Sequence, residues 1–286
     1  ASGGPRIIWW SGTGAGRPDH EGMAVEAKCS MISDETRNKS EQEMISFFRS
    51  IPARFEGSFG LMGGWAVTYL LKNRGFEHPG SRDIDIFYDP GRVSYEAVCK
   101  MIRGQRFQPH STFRWIKYVD GRTGKEISEH ESKTLEQFNL ITIYLDVAAP
   151  SPDESRSVRD HVLDEPFLAD VFSGKSESCM YHGARILMPS VDIMVKLKMK
   201  SIPERTDSFK REKDLVDLVA MVRNVPELWV TDDKGFQVQL RDDLRDPHMR
   251  ILKQQLELYS RDGTLTNVAN ELRVDSELVL GILRRL

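Results

Sequence analysis

Hydrophobic and polar positions in the first part of the chain follow two periods, one typical of helices and one typical of strands. Residues 40–43 have the S-x-x-E form of a helix-capping box, and the apolar residues of 44–51 recur at helical spacing. The apolar run 59–62 ends at Gly63 and Gly64 and leads into a helix-compatible run of apolar residues. These patterns predict a helix, followed by a strand, a tight turn and a second helix.

Strand-like alternation returns further along the chain. Residues 83–88 alternate acidic and apolar side chains, and residues 94–103 then form a helical pattern. Two more strands are predicted over residues 113–119 and 138–147. The order of these elements predicts an α+β fold with a small mixed β-sheet flanked by helices.

The second half of the chain has a different pattern. Residues 150–183 are acidic and irregular, and from residue 190 onward every apolar pattern is helical, including the final pair 265–272 and 277–286. That final pair resembles a small helix-turn-helix unit, but its second helix carries arginines only at its far end, which favours two packed helices. A helical C-terminal domain is therefore predicted.

The predicted organisation has three parts. Residues 1–38 form a leader without helical or strand periodicity, which we expect to be disordered, and Met23 within it is one candidate for the natural start. A core domain is expected over residues 39–170 and the helical domain over residues 171–286.

Composition narrows the class of protein. The 286 residues are 40% hydrophobic and 29% charged, as in globular proteins, and the formal net charge of -3 gives no basic field for coating nucleic acid. Three widely spaced cysteines (Cys29, Cys99 and Cys179) lack a C-x-x-C pair, which favours reduced thiols and a cytoplasmic protein. Because the chain has no apolar run of about 18 residues, no membrane span is expected.

Carboxylates on two strands form the first candidate site. Asp83 and Asp85 are separated by one residue, so on a strand both side chains emerge from the same face, about 7 Å apart. Asp146 is out of phase with the apolar residues of its own strand and can supply a third carboxylate. Acids this close repel each other unless a cation lies between them, and Mg²⁺ prefers such oxygen ligands. The three acids predict a centre for two Mg²⁺ ions, although a D-x-D pattern alone is also typical of the solvated face of an edge strand.

The glycine turn makes the acidic pattern more specific. Gly63 and Gly64 lie between a predicted strand and a predicted helix, where glycine allows the backbone to approach a ligand and the free N–H groups of the helix attract phosphate. A glycine pair is common in ordinary turns, but a glycine turn followed by D-x-D on the next strand is much rarer.

Residues 61–66 and 81–87 together resemble the signature of the DNA polymerase beta-like nucleotidyltransferase superfamily, in which a glycine pair and a helix precede D-h-D-h on the next strand. Within it the chain is most similar to the AbiEii-type toxins and MenT-like nucleotidyltransferases. Their pattern has a serine two residues before the first aspartate, which Ser81 matches. It also has a helical segment with lysines, which residues 187–198 match. It closes with R-x-K-D-x-x-D-L, which residues 211–218 match. The resemblance covers about residues 59–222.

Two features depart from the family pattern. Eighteen residues separate Gly64 from Asp83, which implies an insertion in the intervening loop. Pro79 stands where members often have an arginine that contacts phosphate. We expect Arg82 to make that contact in this chain.

The resemblance implies a nucleotidyltransferase core and an enzyme that transfers NMP from an NTP to an acceptor hydroxyl and releases pyrophosphate. It implies that Lys196 contacts the triphosphate and that Asp214 orients Lys196 or the acceptor. The implied catalytic residues are Asp83, Asp85, Asp146, Lys196 and Asp214, of which the first three bind two Mg²⁺ ions. The implied nucleotide-binding residues are Gly63, Gly64, Ser81, Arg82 and Lys196.

Alternatives remain for the lysine and for the acceptor. Asp192, Lys196 and Lys200 are spaced four residues apart, as in a surface ladder of ion pairs. Residues 185–223 carry an excess of three positive charges, which suits a polyphosphate or an RNA backbone.

RNA, such as tRNA, is the favoured acceptor because the match is closest to the toxin-like branch, and a small hydroxylated, antibiotic-like molecule is the alternative. The competing class is a catalytically silent regulator that binds nucleic acid.

Overall fold

The computed structural model describes residues 33–150, 162–231, 237–240 and 247–286. Its α-helices are α1 (Asp34–Ser50), α2 (Gly63–Asn73), α3 (Tyr95–Gly104), α4 (Glu129–Ser132), α5 (Leu168–Phe172), α6 (Val191–Glu204), α7 (Ser208–Asn224), α8 (Pro247–Arg261), α9 (Thr264–Glu271) and α10 (Ser276–Arg285). Its strands are β1 (Phe59–Met62), β2 (Ile84–Tyr88), β3 (Gln108–Ser111), β4 (Arg114–Asp120), β5 (Glu126–Ile127), β6 (Leu140–Ala149), β7 (Leu163–Asp164), β8 (Ser176–Tyr181), β9 (Ala184–Pro189), β10 (Trp229–Thr231) and β11 (Gln237–Leu240).

The predicted α+β fold is confirmed: a nine-stranded mixed sheet is flanked by helices and followed by a helical region. The main path of the sheet runs β3-β4-β6-β2-β1-β9-β8, with β5 beside β4 and β7 beside β6. The two strands that carry the candidate acids, β2 and β6, are parallel neighbours near its middle.

Helix α1 begins earlier than the capping-box pattern predicts. Its N-cap is Ser33, whose side chain accepts a hydrogen bond from the Thr36 backbone N–H, and acidic residues occupy the first turn. Ser40 lies inside the helix, fully buried, and its hydroxyl accepts a hydrogen bond from Trp65 Nε1. The capping-box interpretation is therefore wrong: the serine is a buried partner for the tryptophan of α2.

Residues 1–32 of the expected leader lie outside the described residues.

The strand–turn–helix–strand prediction around the glycine pair is confirmed. Strand β1 ends at Met62, α2 begins at Gly63, and β2 returns antiparallel to β1. The strands predicted over residues 113–119 and 138–147 correspond to β4 and β6, and the helix predicted over residues 94–103 corresponds to α3.

The sheet continues past residue 170. Strand β9 pairs with β1 in parallel, and β8 pairs with β9, so both belong to the same sheet as the first strands. The division of the chain into two domains at residue 170 stays a prediction. Strands from both sides of that residue belong to one sheet. The expectation that every pattern after residue 190 is helical is wrong, because β10 and β11 form a small antiparallel pair between α7 and α8.

The two faces of the central strands have different surroundings. Ile84 and Ile86 of β2 are fully buried in the large core, together with residues of α1 and α2. On the opposite face Phe87 and Ala148 pack against a smaller apolar group that includes Ile193 of α6. The acids of β2 and β6 lie on this second face.

The C-terminal helices close the large core. Leu265 and Val268 of α9 and Val279 and Leu283 of α10 are buried in it, which agrees with two packed helices. Among the described helices none combines the length and the apolar character needed to cross a membrane.

Gly60 gives a test of the packing between β1 and its neighbours. A Cβ on this residue would collide with the Phe87 ring and would lie 2.7 Å from the Leu187 carbonyl oxygen. We expect Gly60→Ala to lower the free energy of unfolding by about 1–3 kcal/mol, because overpacking forces side chains out of their rotamers. Urea unfolding of the purified variant measures this loss.

Gly281→Ala is the matched control, because nothing lies within 4 Å of the added Cβ in α10. Alanine in a helix interior should raise the free energy of unfolding by about 0.5–1 kcal/mol. Equal stability of the two variants would contradict the packing described for β1.

Candidate active site

The register of the sheet aligns charged residues in one row across neighbouring strands. Asp85 of β2 is paired with Asp146 of β6, and Asp146 is paired with Arg114 of β4. Met62 of β1 is the partner of Asp85 on its other side. Asp83 precedes Asp85 by two residues, so the structure brings the three predicted acids to one face of the sheet.

The turn after β1 places backbone against one of these acids. Gly63 has a φ of +67°, which glycine adopts without strain, and a Cβ at this position would collide with the Asp85 carboxylate. The first turn of α2 therefore lies directly beside Asp85. Gly63 is required here by both its backbone conformation and the close approach of a carboxylate.

A serine and a lysine complete the surroundings of this turn. Lys213 Nζ of α7 donates a hydrogen bond to Ser81 Oγ (2.7 Å), and the Ser81 hydroxyl donates to the Asp83 carbonyl (3.0 Å). A Cβ on Gly64 would lie 3.0 Å from Ser81 Oγ and 3.3 Å from Lys213 Cε. An ammonium, a hydroxyl and the N-terminus of a helix thus converge at one point, which is a favourable place for an anion.

The glycine turn and Lys213 line a cavity of about 560 Å³. This volume is within the usual range for small-molecule sites. The lining includes every predicted site residue except Ser81 and Lys196. Its charged members include Arg82, Asp83, Asp85, Arg114, Asp146, Lys198, Lys200, Arg205, Lys210, Lys213 and Asp214.

The acids of the row differ in their charge balance. Burial and the neighbouring carboxylates of Asp146 and Asp83 raise the pKa of Asp85 to about 7. Burial also raises the pKa of Asp83, but Lys213 and Arg82 outweigh it and hold that pKa below its ordinary value. Asp85 is thus the acid least compensated by positive charge.

Asp146 has a cation of its own. Arg114 Nε and Nη2 donate to the two carboxylate oxygens at 2.7 and 2.5 Å. Burial raises the pKa of Asp146 in spite of this pair, and the hydrogen bonds to Asp146 raise the pKa of Arg114.

Lys198, and not Lys196, reaches the cavity from α6. Its ammonium lies 2.5 Å from a carboxylate oxygen of Asp214 and 2.5 Å from one of Asp217, and its side chain is 10% exposed. Asp214 also accepts hydrogen bonds from Arg205 Nε at 2.8 Å and from the Ser201 hydroxyl at 3.0 Å. Asp214 therefore orients Lys198. The contact between Asp214 and Lys196 that the resemblance implies is not found.

The electrostatics of this group are those of a closed ion-pair network. Burial lowers the pKa of Lys198, but Asp214 and Asp217 outweigh it and hold that pKa above its usual value. Burial raises the pKa of Asp214 and of Asp217, and Lys198 more than offsets this for both acids. All three groups are therefore ionised at neutral pH.

His78 extends the network toward the glycine turn. Its Nε2 lies 3.0 Å from Asp217 Oδ1, and both side chains are buried. The Gly80 backbone N–H donates to His78 Nδ1 (3.2 Å), which places the proton of a neutral ring on Nε2. Thr68, which also contacts Nδ1, donates to the Gly64 carbonyl at 2.8 Å. The loop before β2, α7 and the glycine turn are thereby tied together.

Several of these residues were not identified from the sequence. Lys213 lies in the R-x-K-D segment, one residue before Asp214, but the pattern gives no indication of its contact with Ser81. Arg114 follows the start of a predicted strand, and only its register opposite Asp146 reveals its role. His78 lies in the loop expected to hold an insertion, where a lone histidine carries no signal.

Two of the predicted acids offer ligands for the implied metal. Within the described part of the chain, no group of three or more His, Cys, Asp or Glu side chains is arranged to hold a metal ion. Asp83 and Asp85 do present hard oxygen donors on one strand face, and Asp85 has no ion pair with a described residue. Two carboxylates with the remaining positions open to water and phosphate fit Mg²⁺.

Comparison with known proteins adds little. The chain matches no protein-family model and no curated protein. It is similar to the crystal structure of an antigenic nucleotidyltransferase-like protein from Paracoccidioides brasiliensis, with 15% identity, a TM-score of 0.43, and coverage of 81% of this chain and 94% of that chain. A likeness of this size carries no argument about the present chain.

Lys198 gives a test of the buried network. Lys198→Met should lower the free energy of unfolding by about 3–5 kcal/mol, because it leaves the carboxylates of Asp214 and Asp217 without their shared cation. Chemical unfolding at pH 7 measures the loss. Lys196→Met on the same helix is the control, with an expected change within about 0.5 kcal/mol. A similar loss in both variants would show that Lys198 contributes no more to the free energy of unfolding than Lys196 does.

Proposed function

We propose that this protein is a Mg²⁺-dependent nucleotidyltransferase, which transfers an NMP group from an NTP to an acceptor hydroxyl and releases pyrophosphate. The observation that carries the proposal is the convergence of the Gly63 turn, Lys213 and the Asp83–Asp85 strand face in one cavity. The first two suit phosphate and the third suits a divalent cation, which are the two partners that an Mg²⁺–NTP substrate brings.

The triphosphate would lie against the first turn of α2. The backbone N–H groups of this turn and the Lys213 ammonium would donate hydrogen bonds to its oxygens. Ser81 is fully buried and does not line the cavity, so it would act by holding the Lys213 ammonium in place. Lys213 and Lys210 form no ion pair with any described residue, in contrast to Lys198, Lys200 and Arg205. Lys213 is therefore the lysine we assign to the triphosphate, in place of Lys196.

The acids would have two tasks. Asp83 and Asp85 would hold Mg²⁺, which polarises the phosphate oxygens and offsets their charge when it is bound. The acceptor oxygen would attack the α-phosphorus, its proton would pass to a carboxylate oxygen of Asp146, and the bond to the β-phosphate oxygen would break. Lys213 would stabilise the charge that gathers on the departing pyrophosphate.

The proposed acceptor is an RNA hydroxyl, as on the end of a tRNA. Support comes from the motif resemblance to the AbiEii and MenT-like branch and from the cations that line the cavity beside the ion-pair network. Lys210 is one of these cations, and it forms no ion pair with any described residue. A small hydroxylated molecule would serve the same chemistry.

Asp85→Asn separates the proposed function from a structural role. Because Asp85 has a raised pKa and faces other carboxylates, the amide should raise the stability of the metal-free protein at pH 8 by about 1–4 kcal/mol. The same change should abolish Mg²⁺-dependent transfer of label from α-³²P NTPs to total RNA. Asp83→Asn should also abolish transfer.

Each result of this experiment has a defined meaning. Normal transfer by either variant would contradict the assignment of the acids. Label found on a small hydroxylated compound and never on RNA would replace the proposed acceptor and leave the reaction type in place. An absence of transfer by the wild-type protein with all four NTPs and both classes of acceptor would contradict the proposed function.

Lys213 and Lys196 distinguish the structure-based assignment from the sequence-based one. Lys213→Ala should reduce kcat/KM for the NTP by about ten- to a hundredfold, since a hydrogen bond to a charged group contributes about 1.5–3 kcal/mol. Lys196→Ala should change it by less than about threefold, because Lys196 does not line the cavity. Steady-state kinetics with each variant give both values. A larger loss in Lys196→Ala would restore the assignment made from the motif.

A further inference from the structure

Arg114 holds Asp146 in a geometry that the sheet itself fixes. The two residues are opposite each other on the antiparallel strands β4 and β6. The guanidinium donates to both carboxylate oxygens, at 2.7 and 2.5 Å. Bidentate pairs of this kind combine the strength of a charged hydrogen bond with a defined orientation. The position of this cation therefore depends on strand register and not on a loop.

A second contact keeps the guanidinium in place. Arg114 Cζ lies 4.7 Å from the centre of the Tyr144 ring. Tyr144 precedes Asp146 by two residues on β6, so its side chain is on the same face of the sheet. The side chains of Arg114 and Asp146 are 20% and 12% exposed, so the pair is largely shielded from water. The protein thus supplies a fixed positive charge at this acid.

The other two acids have no such partner. The ion pair of Asp83 is with its neighbour Arg82, whose side chain is 38% exposed. Asp85 faces Asp146 on the adjacent strand and has no ion pair within the described residues. Asp83 Oδ1 accepts a hydrogen bond from Arg82 Nε at 3.1 Å, which leaves its second oxygen for a metal ion. A metal ion entering the cavity thus meets one open oxygen at Asp83 and the carboxylate of Asp85, whereas both oxygens of Asp146 are engaged.

We propose that the site holds one divalent cation, on Asp83 and Asp85, and that Arg114 supplies at Asp146 the positive charge that a second metal ion would otherwise supply. This inference rests on the proposed function, because it takes Asp83 and Asp85 as the metal ligands. It replaces the expectation of two Mg²⁺ ions with one ion and one guanidinium.

The two kinds of cation have different chemistry. A guanidinium remains protonated at any working pH and donates hydrogen bonds in a planar fork, but it has no coordination position for a water or an acceptor oxygen. The Asp146 side of the cavity would therefore orient the acceptor by hydrogen bonds. Only the Asp83–Asp85 side would bind phosphate oxygens through a metal.

Metal binding without nucleotide tests this arrangement. Mn²⁺ alone is titrated into the full chain, and the electron paramagnetic resonance signal of the free ion is followed. We expect one Mn²⁺ per wild-type chain. Asp85→Asn should weaken its binding by about tenfold or more, whereas Asp146→Asn, the same change on the neighbouring strand, should alter the Kd by less than about threefold.

Arg114→Gln supplies the opposite test. Removing the guanidinium frees both oxygens of Asp146, so this variant should bind a second Mn²⁺ that disappears again in Arg114→Gln/Asp146→Asn. Any of four results would overturn the inference. They are two ions bound to the wild-type chain, no ion bound to it, one ion bound to Arg114→Gln, or a tenfold weaker site in Asp146→Asn. If Arg114→Gln does not fold, the Asp146→Asn result decides alone, because asparagine keeps the shape of the aspartate.

The same preparations separate this inference from the proposed function. The Mn²⁺ pattern is read without any NTP, and transfer of label from NTP is measured in parallel. The expected Mn²⁺ pattern without transfer would contradict the proposed reaction and keep the assignment of the cations. Transfer with two Mn²⁺ per wild-type chain would contradict only the role of Arg114.

Discussion

The register between β2 and β6 is the constraint on which the candidate site depends. Ile84 and Ile86 are buried in the large core, so Asp83 and Asp85 must point to the other face of the sheet. The same burial of apolar residues in β6 places Asp146 directly beside Asp85. A slip of one residue would bury the acids and expose the apolar residues, so the pairing that brings like charges together is enforced by the hydrophobic core.

The protein compensates its buried carboxylates in two different ways. Asp214 and Asp217 share the ammonium of Lys198, and Arg205 and His78 complete their contacts. Such a closed network stabilises the junction of α6 and α7 but leaves no charge for a ligand. In the row on the sheet Asp146 pairs with Arg114, whereas Asp85 has no ion pair with a described residue and a pKa raised to about 7. A raised pKa of a carboxyl group in a cavity is typical of functional sites.

The sequence predicted the parts of the site that are local and periodic. The strand, glycine turn and helix around Gly63, and the common face of Asp83 and Asp85, follow from period and turn chemistry alone. Lys196 was assigned from a motif, but the face that α6 turns to the cavity depends on how it packs on α7, and this selects Lys198. The start of α1 was misplaced because Ser40 is a buried partner of Trp65, a contact between residues far apart in the chain. Arg114 could not be found without the register of β4 on β6.

His78 gives a reason for the long loop between α2 and β2. Ser81 on this loop and Lys213 on α7 come from distant parts of the chain, yet their side chains must meet within hydrogen-bond distance beside Gly64. His78 lies three residues before Ser81, and its ring contacts Asp217, which lies one helical turn after Lys213. The backbone of Gly80 holds the same ring from the loop side. The loop therefore places a buried histidine that fixes loop and helix to each other. This contact sets the position of Ser81 and Lys213 beside the N-terminus of α2.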